Sequence, residues 1–283
     1  MENYELRRRY GDKKAIEMLK EAGFEALDYS FYGTDDNPEI LGDGYFAHAR
    51  QVRQWLDEAG MVCNQAHAAM GMPDNLPFDI SEPKYLRVVR CIEAAAILGA
   101  DQIIVHGVGD VMAHDTQYIV QRNLAYYKSL IPYCEKFGIR VAVENLLRID
   151  TRRKYFREFI GSAQALSSLV TEISSPRIVG CIDIGHAALT SKEPEDFIRE
   201  MTPGVLQALH VHDNDYLDDR HMLPFTQELN WQAIMKALKE TGYQGDLTFE
   251  LSSYMSRMPD GLMPEALKFA HSVGRYLVSL YEG

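Results

Sequence analysis

A chain of 283 residues, 46% of them hydrophobic and 25% charged, carries enough apolar side chain for one large core or two small ones, which excludes disordered and collagen-like proteins. The net charge of −12 would be repelled by phosphate backbones, so it disfavours non-specific binding to nucleic acids and anionic membranes. No apolar run reaches the roughly 20 residues that span a bilayer, and the charged start lacks the apolar segment of a signal peptide.

A glycine that ends a helical pattern, followed at once by a strand-like apolar run, recurs along the chain. The first four instances, Gly23, Gly60, Gly99 and Gly138, are 37, 39 and 39 residues apart, and another is Gly242. Glycine is the residue best suited to the left-handed position that closes a helix. Each repeat therefore predicts a helix, a glycine, a short strand and a polar loop.

Individual elements follow from capping residues and apolar spacing. We predict helices over residues 81–98, with Ser-Glu-Pro as cap and first turn, from Asn230 to residue 240, and over residues 263–281. A strand is predicted around residues 206–211. Short apolar strands that alternate with helices are typical of a buried parallel sheet.

A period near 38 residues predicts a single domain over residues 1–283, a (β/α)₈ TIM barrel. A doubly wound open sheet is the competing architecture, but no Gly-rich phosphate loop follows any predicted strand. The weak point is the first strand, since residues 1–6 are polar. We expect about seven good strands and a first one that is short or missing.

Acidic residues and histidines end the predicted strands, spaced by 38 or 39 residues except for one interval of 29. They are Asp28, His67, His106, Glu144, Asp183, His212 and Glu250. In a TIM barrel these strand ends form the active-site face. Buried charges without partners cost several kcal/mol, so a shared cation is the simplest explanation for the set, although each residue alone could be an ordinary hydrogen-bonded strand end.

Four of these residues would place three carboxylates and one imidazole around one point: Glu144, Asp183, His212 and Glu250. Such an oxygen-rich set favours Mn²⁺, Mg²⁺ or Co²⁺ and leaves Zn²⁺ open. A divalent metal there could polarise a carbonyl or hydroxyl group and stabilise an enediolate.

The motifs VAVEN, CIDIGH, LHVHDND with DDRH after it, and LTFELS resemble the xylose isomerase-like TIM barrels, which comprise sugar phosphate isomerases and epimerases and their relative endonuclease IV. The resemblance covers nearly the whole chain. From its ketose 3-epimerase branch it implies Glu144, Asp183, His212 and Glu250 as metal ligands, the two glutamates as the acid/base pair, and His186 as a residue that binds substrate hydroxyls.

Two histidines compete for the imidazole position in LHVHDND. Alternation along a strand puts His210 and His212 on the same face, so the pattern does not separate them. The resemblance favours His212, which is nearer the end of the strand. His210 is then a hydrogen-bonded histidine of the inner face.

The same resemblance provides the main alternative. Endonuclease IV holds three metals, and this chain has His67, His106, His186, Asp219 and His221 at matching places. A phosphodiesterase acting on abasic DNA therefore stays open, although the net charge and the lack of a basic stripe count against it. A keto-inositol-type dehydratase and a non-catalytic sugar-binding barrel also stay open.

Two loops bear on the substrate. A basic cluster after Glu144 includes Arg148 and Arg152, which could hold a substrate phosphate or carboxylate, or simply belong to a solvated loop. Many family members follow the seventh strand with His-x-x-Pro-Gly-x-Gly, where this chain, which reads HMLPFTQE, has Phe225 in place of the first glycine. We expect this change to reshape the pocket wall.

The sequence thus predicts a metal-dependent sugar or sugar phosphate isomerase or epimerase that acts through an enediolate. Four widely spaced cysteines without a CxxC pair are typical of reduced thiols, which predicts a cytoplasmic protein. The expected partner is a small-molecule sugar; a membrane is not expected, nucleic acid is disfavoured, and a homo-oligomer stays open.

Overall fold

The computed structural model describes residues 1–34, 37, 40–70, 73, 78–107, 116–149, 155–157, 160–190 and 193–283. Among them, six parallel strands form one sheet in chain order: β1 (Ala26–Ser30), β2 (Val62–His67), β3 (Gln102–Ile104), β4 (Arg140–Glu144), β7 (Ile178–Asp183) and β8 (Leu206–His210). A separate antiparallel pair, β5 (Leu147–Ile149) and β6 (Tyr155–Arg157), is inserted after β4.

Two segments shorter than strands close the sheet into a barrel. Glu2 forms a single parallel bridge with Asp28 of β1, and Phe249 forms one with Val211 just after β8. The backbone N–H of Glu2 donates to the Phe249 carbonyl at 2.8 Å, which joins the two edges. The (β/α)₈ barrel with a short first strand is therefore confirmed. The expectation of about seven good strands is corrected to six in the described chain, because the last segment forms only one bridge before a helix begins at Ser252.

Helices connect these strands and cover the outside of the sheet. The described helices are α1 (Tyr4–Tyr10), α2 (Asp12–Ala22), α3 (Tyr45–Ala59), α4 (Pro83–Leu98), α5 (Thr116–Phe137), α6 (Ala163–Ile173), α7 (Ile184–Thr190), α8 (Pro194–Glu200), α9 (Trp231–Glu240), α10 (Ser252–Ser256) and α11 (Met263–Glu282), with a short 3₁₀ turn at Asp260–Leu262. None of these helices has the length and apolar character needed to cross a membrane.

The predicted helix ends agree closely with the structure. Gly23, Gly60 and Gly99 close their helices with left-handed φ angles of 103°, 61° and 86°. Asn230 caps α9 by accepting a hydrogen bond from the Ala233 N–H, as predicted. The cap of α4 is corrected by one residue from Ser81, because the side chain of Glu82 accepts the free backbone N–H groups of the first turn.

Small apolar residues fill the barrel interior beneath its carboxyl-terminal face: Ile104, Ala142, Val179, Cys181 and Ala208. Three of them lie two residues before an inward polar residue of the same strand, so alternation places them on the same inner face. All four cysteines are buried. Burial raises the pKa of Cys63 and Cys134 to about 12, so these two thiols are protonated at neutral pH.

Candidate active site at the carboxyl ends of the strands

The parallel strands bring three carboxylates together at one end of the barrel. Glu144 is the last residue of β4, Asp183 is the last residue of β7, and Glu250 follows the bridged Phe249. Glu144 and Glu250 line a cavity of about 460 Å³. The remaining predicted acid, Asp28, lies deeper, in the middle of β1, where the Gln65 amide donates to it at 2.8 Å.

His210 lies between the carboxylates at this end of the barrel. Its Nδ1 is 2.6 Å from Glu144 Oε1 and 3.1 Å from Glu250 Oε2, and its Nε2 is 3.4 Å from Asp28 Oδ2. Burial alone would lower the pKa of His210, but the charges of Glu250 and Glu144 outweigh it and hold this pKa well above its ordinary value. These charges therefore favour the protonated form of His210 in the metal-free chain.

His212 contacts a different carboxylate. Its Nε2 lies 3.0 Å and 3.1 Å from the two Asp183 oxygens, and its ring stacks on His221 with centroids 4.1 Å apart. Gly185 permits this placement, because a Cβ there would lie only 2.0 Å from the His212 ring. The structure thus brings both histidines to the site, and the assignment of His212 as the metal ligand stays a prediction.

Two further groups of donor atoms share the cavity. His67 and His106 lie 3.1 Å apart through their Nε2 atoms, and His106 is 2.8 Å from Glu144 Oε2. Asp219 Oδ2 lies 3.4 Å from His186 Nε2 and 3.0 Å from His221 Nε2. The residues predicted as additional ligands or pocket residues therefore meet in two places, each able to offer three donor atoms within 4.8 Å.

Opposite charges set the ionisation of the second group. Burial would lower the pKa of His221, but Glu250 and Asp219 outweigh it and raise this pKa to about 10. Burial would raise the pKa of Asp219, but His186 and His221 hold it well below its ordinary value. In the metal-free chain these side chains therefore form charged pairs.

Asn145 orients Asp183 and His186, and sequence reasoning did not select it. This fully buried amide accepts the Asp183 backbone N–H at 2.7 Å and donates to the Asp183 carbonyl at 3.1 Å. The Asn145 carbonyl is 3.0 Å from His186 Nδ1. The VAVEN motif contains this residue, but only the neighbouring strand shows what it bonds.

We expect Asn145→Ala to lower metal affinity by about 10- to 100-fold, because residues that orient ligands commonly have effects of this size. Titration of the metal-free variant with Mn²⁺, followed calorimetrically, measures this. Asn64→Ala is the matched control, since Asn64 donates to Asp246 at 2.8 Å away from the cavity. Equal affinities in the two variants would contradict the orienting role.

Glu2 is the second site residue that sequence reasoning missed. It lines the cavity together with Tyr4, Ser30 and Tyr32, and it is 7% exposed. The backbone N–H of Tyr4 donates to Glu2 Oε1 at 3.0 Å. Burial, and then the charges of Glu250 and Asp28, raise the pKa of Glu2 to about 8. No local pattern marks this residue, because barrel closure alone brings it to the site.

Two predicted features of the loops stay predictions. Arg148 lies in β5 opposite Phe156, but its side chain and all of Arg152 lie outside the described residues, so their substrate role stays a prediction. Phe225 keeps a left-handed φ of 70°, and its ring packs 5.5 Å from that of Tyr276. Phe225 is not among the described residues that line the cavity, and the expectation that the loss of glycine reshapes the pocket wall stays a prediction.

Comparisons with known proteins agree with this architecture. The family model described as "Xylose isomerase-like TIM barrel" matches residues 16–273. The uncharacterized protein y4fM of Sinorhizobium fredii is 26% identical over 268 residues, covering 85% of this chain and 81% of that protein. D-Psicose 3-epimerase with D-tagatose from Clostridium cellulolyticum H10 superposes with a TM-score of 0.74 at 14% identity, covering 94% of this chain and 93% of that one.

A second structure, the IOLI protein with a bound zinc atom, also has a TM-score of 0.74 at 14% identity, covering 94% of this chain and 92% of that one. At such low identities the two structures show a shared fold.

Proposed function

Because the chain belongs to the xylose isomerase-like TIM barrel family, we propose that it is a divalent-metal-dependent enzyme that isomerises or epimerises a sugar or sugar phosphate. The observation that carries this proposal is the convergence of Glu144, Asp183 and Glu250 at the mouth of the barrel. The similarity in fold to a protein named D-psicose 3-epimerase supports the substrate class.

The donor atoms fit a divalent cation. Glu144, Asp183, His210 and Glu250 can each offer one donor atom within 4.8 Å of the others. The buried Glu144 Oε2 accepts no hydrogen bond of good geometry from the described residues. Three carboxylates favour Mn²⁺, Mg²⁺ or Co²⁺, and the zinc in the IOLI structure keeps Zn²⁺ open. When bound, the ion would polarise a substrate carbonyl and stabilise negative charge on its oxygen.

We propose His212 as the imidazole ligand, as the family resemblance implies, and an orienting role for His210. Although His210 belongs to the group of donor atoms within 4.8 Å, both of its ring nitrogens already face carboxylates, Glu144 and Glu250 on one side and Asp28 on the other. His212 lies instead against both oxygens of Asp183.

The pair His212→Gln and His210→Gln tests this assignment. We expect His212→Gln to lose most of its bound metal, whereas His210→Gln retains it with affinity weakened about 10- to 100-fold, as for residues that orient ligands. Elemental analysis after dialysis measures both. Metal loss confined to His210→Gln would reverse the two roles.

Glu144 and Glu250 are proposed to exchange protons with substrate carbon. Burial would raise the pKa of Glu144, but His210 and His106 outweigh it and hold this pKa well below its ordinary value. Glu144 is therefore ionised and able to accept a proton. Glu250, 3.1 Å from the same His210, would serve as the partner that returns a proton to the resulting enediolate. His186, which lines the cavity, would bind a substrate hydroxyl.

Solvent exchange tests the reaction. The Mn²⁺-loaded protein is incubated in D₂O with a panel of ketoses and their phosphates that includes D-tagatose and D-psicose. Deuterium should enter the carbon next to the carbonyl, as seen by NMR, together with an isomer or epimer of unchanged composition. Loss of water from a keto-inositol would instead indicate a dehydratase. Absence of exchange with every sugar in the panel would overturn the proposal.

A phosphodiesterase acting on abasic DNA is the second candidate. Two additional groups of donor atoms favour this candidate, because together with the three carboxylates they could hold more than one metal. One group is His67, His106 and Glu144, and the other is His186, Asp219 and His221. The net charge of −12 opposes the approach of DNA. A content of about three metals per chain, together with cleavage of an abasic oligonucleotide, would establish the phosphodiesterase in place of the sugar isomerase or epimerase.

A further inference from the structure

The first barrel segment places a carboxyl group in the cavity wall next to the acid/base pair. Glu2 is hydrogen-bonded through its backbone to Phe249, the residue before Glu250, and it bridges to Asp28 on the other side. Its side chain lines the cavity that Glu144 and Glu250 also line. A substrate in that cavity would therefore meet Glu2 on the side of Glu250.

Glu2 differs from the other acids of the cavity in its partners. Glu144, Asp219 and Glu250 each have a histidine nitrogen within 4.0 Å. Within the described part of the chain, no cationic nitrogen lies that close to the Glu2 carboxyl group, which instead accepts a hydrogen bond from the Tyr4 N–H. Glu2 also belongs to none of the groups of described residues that could hold a metal.

A carboxyl group held by neutral hydrogen bonds, without a cation, is suited to a neutral polar ligand. A carboxyl group accepts a hydrogen bond from a hydroxyl group in either protonation state. Tyr4 and Tyr32 line the cavity beside it, with ring centroids 5.1 Å apart. Together they offer a hydrogen-bonding group next to an aromatic surface, which matches a hydroxylated carbon chain with its C–H groups.

We propose that Glu2 is a substrate-binding residue that forms a hydrogen bond with a sugar hydroxyl on the Glu250 side of the cavity. This inference rests on the proposed function. It identifies the substrate as a polyol chain that carries a hydroxyl at this position.

The test compares Glu2→Met, Glu2→Gln and the control Glu5→Gln on whichever ketose of the panel shows deuterium exchange. Glu5 is a buried acid of the same segment that pairs with Arg8 at 2.8 Å and does not line the cavity. We expect Glu2→Met to raise KM about tenfold with little change in kcat, because a hydrogen bond of about 1.4 kcal/mol is lost. Glu2→Gln should restore KM to within about threefold, since its amide also donates and accepts.

A second measurement uses the unmodified protein, so it does not depend on the folding of a variant. Deoxy analogues of the active ketose are compared, and removal of one hydroxyl should raise KM about tenfold in the unmodified protein. The same analogue should show no penalty in Glu2→Met. Melting temperature and metal content are recorded for each variant.

The outcomes separate the two proposals. Suppose that the unmodified protein exchanges deuterium, but Glu2→Met has an unchanged KM or no deoxy analogue raises KM. Either result would overturn the role of Glu2 and leave the proposed function standing. Loss of metal or a collapsed melting temperature in Glu2→Met, with no sensitive analogue, would mean that Glu2 only closes the barrel. No exchange with any sugar would overturn the proposed function and this inference with it.

Discussion

Glu250→Gln is expected to lower the rate of deuterium exchange by about 10²- to 10⁴-fold, the usual contribution of a positioned acid or base. The amide keeps the size of the side chain but cannot give up or take up a proton at neutral pH. Because the Glu250 side chain is 19% exposed, the change should be tolerated by the fold. Exchange is measured at saturating Mn²⁺, so that a weaker metal site does not by itself lower the rate.

The matched control is Glu240→Gln, which removes an exposed carboxylate that pairs with Arg199 at 2.9 Å on the outside of the barrel. This control variant should catalyse deuterium exchange at the same rate as the unmodified protein. A Glu250→Gln protein that binds Mn²⁺ and still exchanges within threefold of the control would remove Glu250 from the acid/base pair.

Removal of the metal is expected to abolish turnover and lower the melting temperature. A ligand present at 100 times its Kd stabilises the folded state by about 2.7 kcal/mol. At roughly 2–4 °C per kcal/mol for a chain of this size, chelation should lower the melting temperature by about 5–10 °C. The measurement is a thermal melt before and after dialysis against a chelator, and again after Mn²⁺ is restored.

The size of this shift should depend on pH. In the metal-free chain the pKa of His221 is about 10, above its unfolded value near 6.5. Its stabilising effect is therefore complete below pH 6.5 and is lost as the pH rises through 10. A bound metal ion would take over the role of balancing the carboxylate charges. At high pH fewer protons compete with the metal for its ligands, so the metal binds more tightly. The metal-induced shift should thus be larger at pH 9.5 than at pH 6.5, and an equal or smaller shift at pH 9.5 would contradict this.

The repeat of helices and strands was accessible from the sequence because its signals are local. A left-handed glycine such as Gly99 and a cap such as Asn230 act within one turn of a helix, and the apolar runs between them act within a few residues. The same local order marks Glu144 and Asp183 as polar residues at strand ends. The sequence alone therefore predicted the barrel and the main candidates for the site.

The partners of those candidates depend on contacts between residues far apart in the chain. His210 ends β8 and His212 follows two residues later, yet one meets Glu144 and the other Asp183, 66 and 29 residues away. Glu2 reaches the site only because residues at opposite ends of the chain bond to close the barrel. A one-dimensional period records which residues end strands, whereas the packing of strands decides which charges meet, which hydrogen bonds orient them and what lines the cavity.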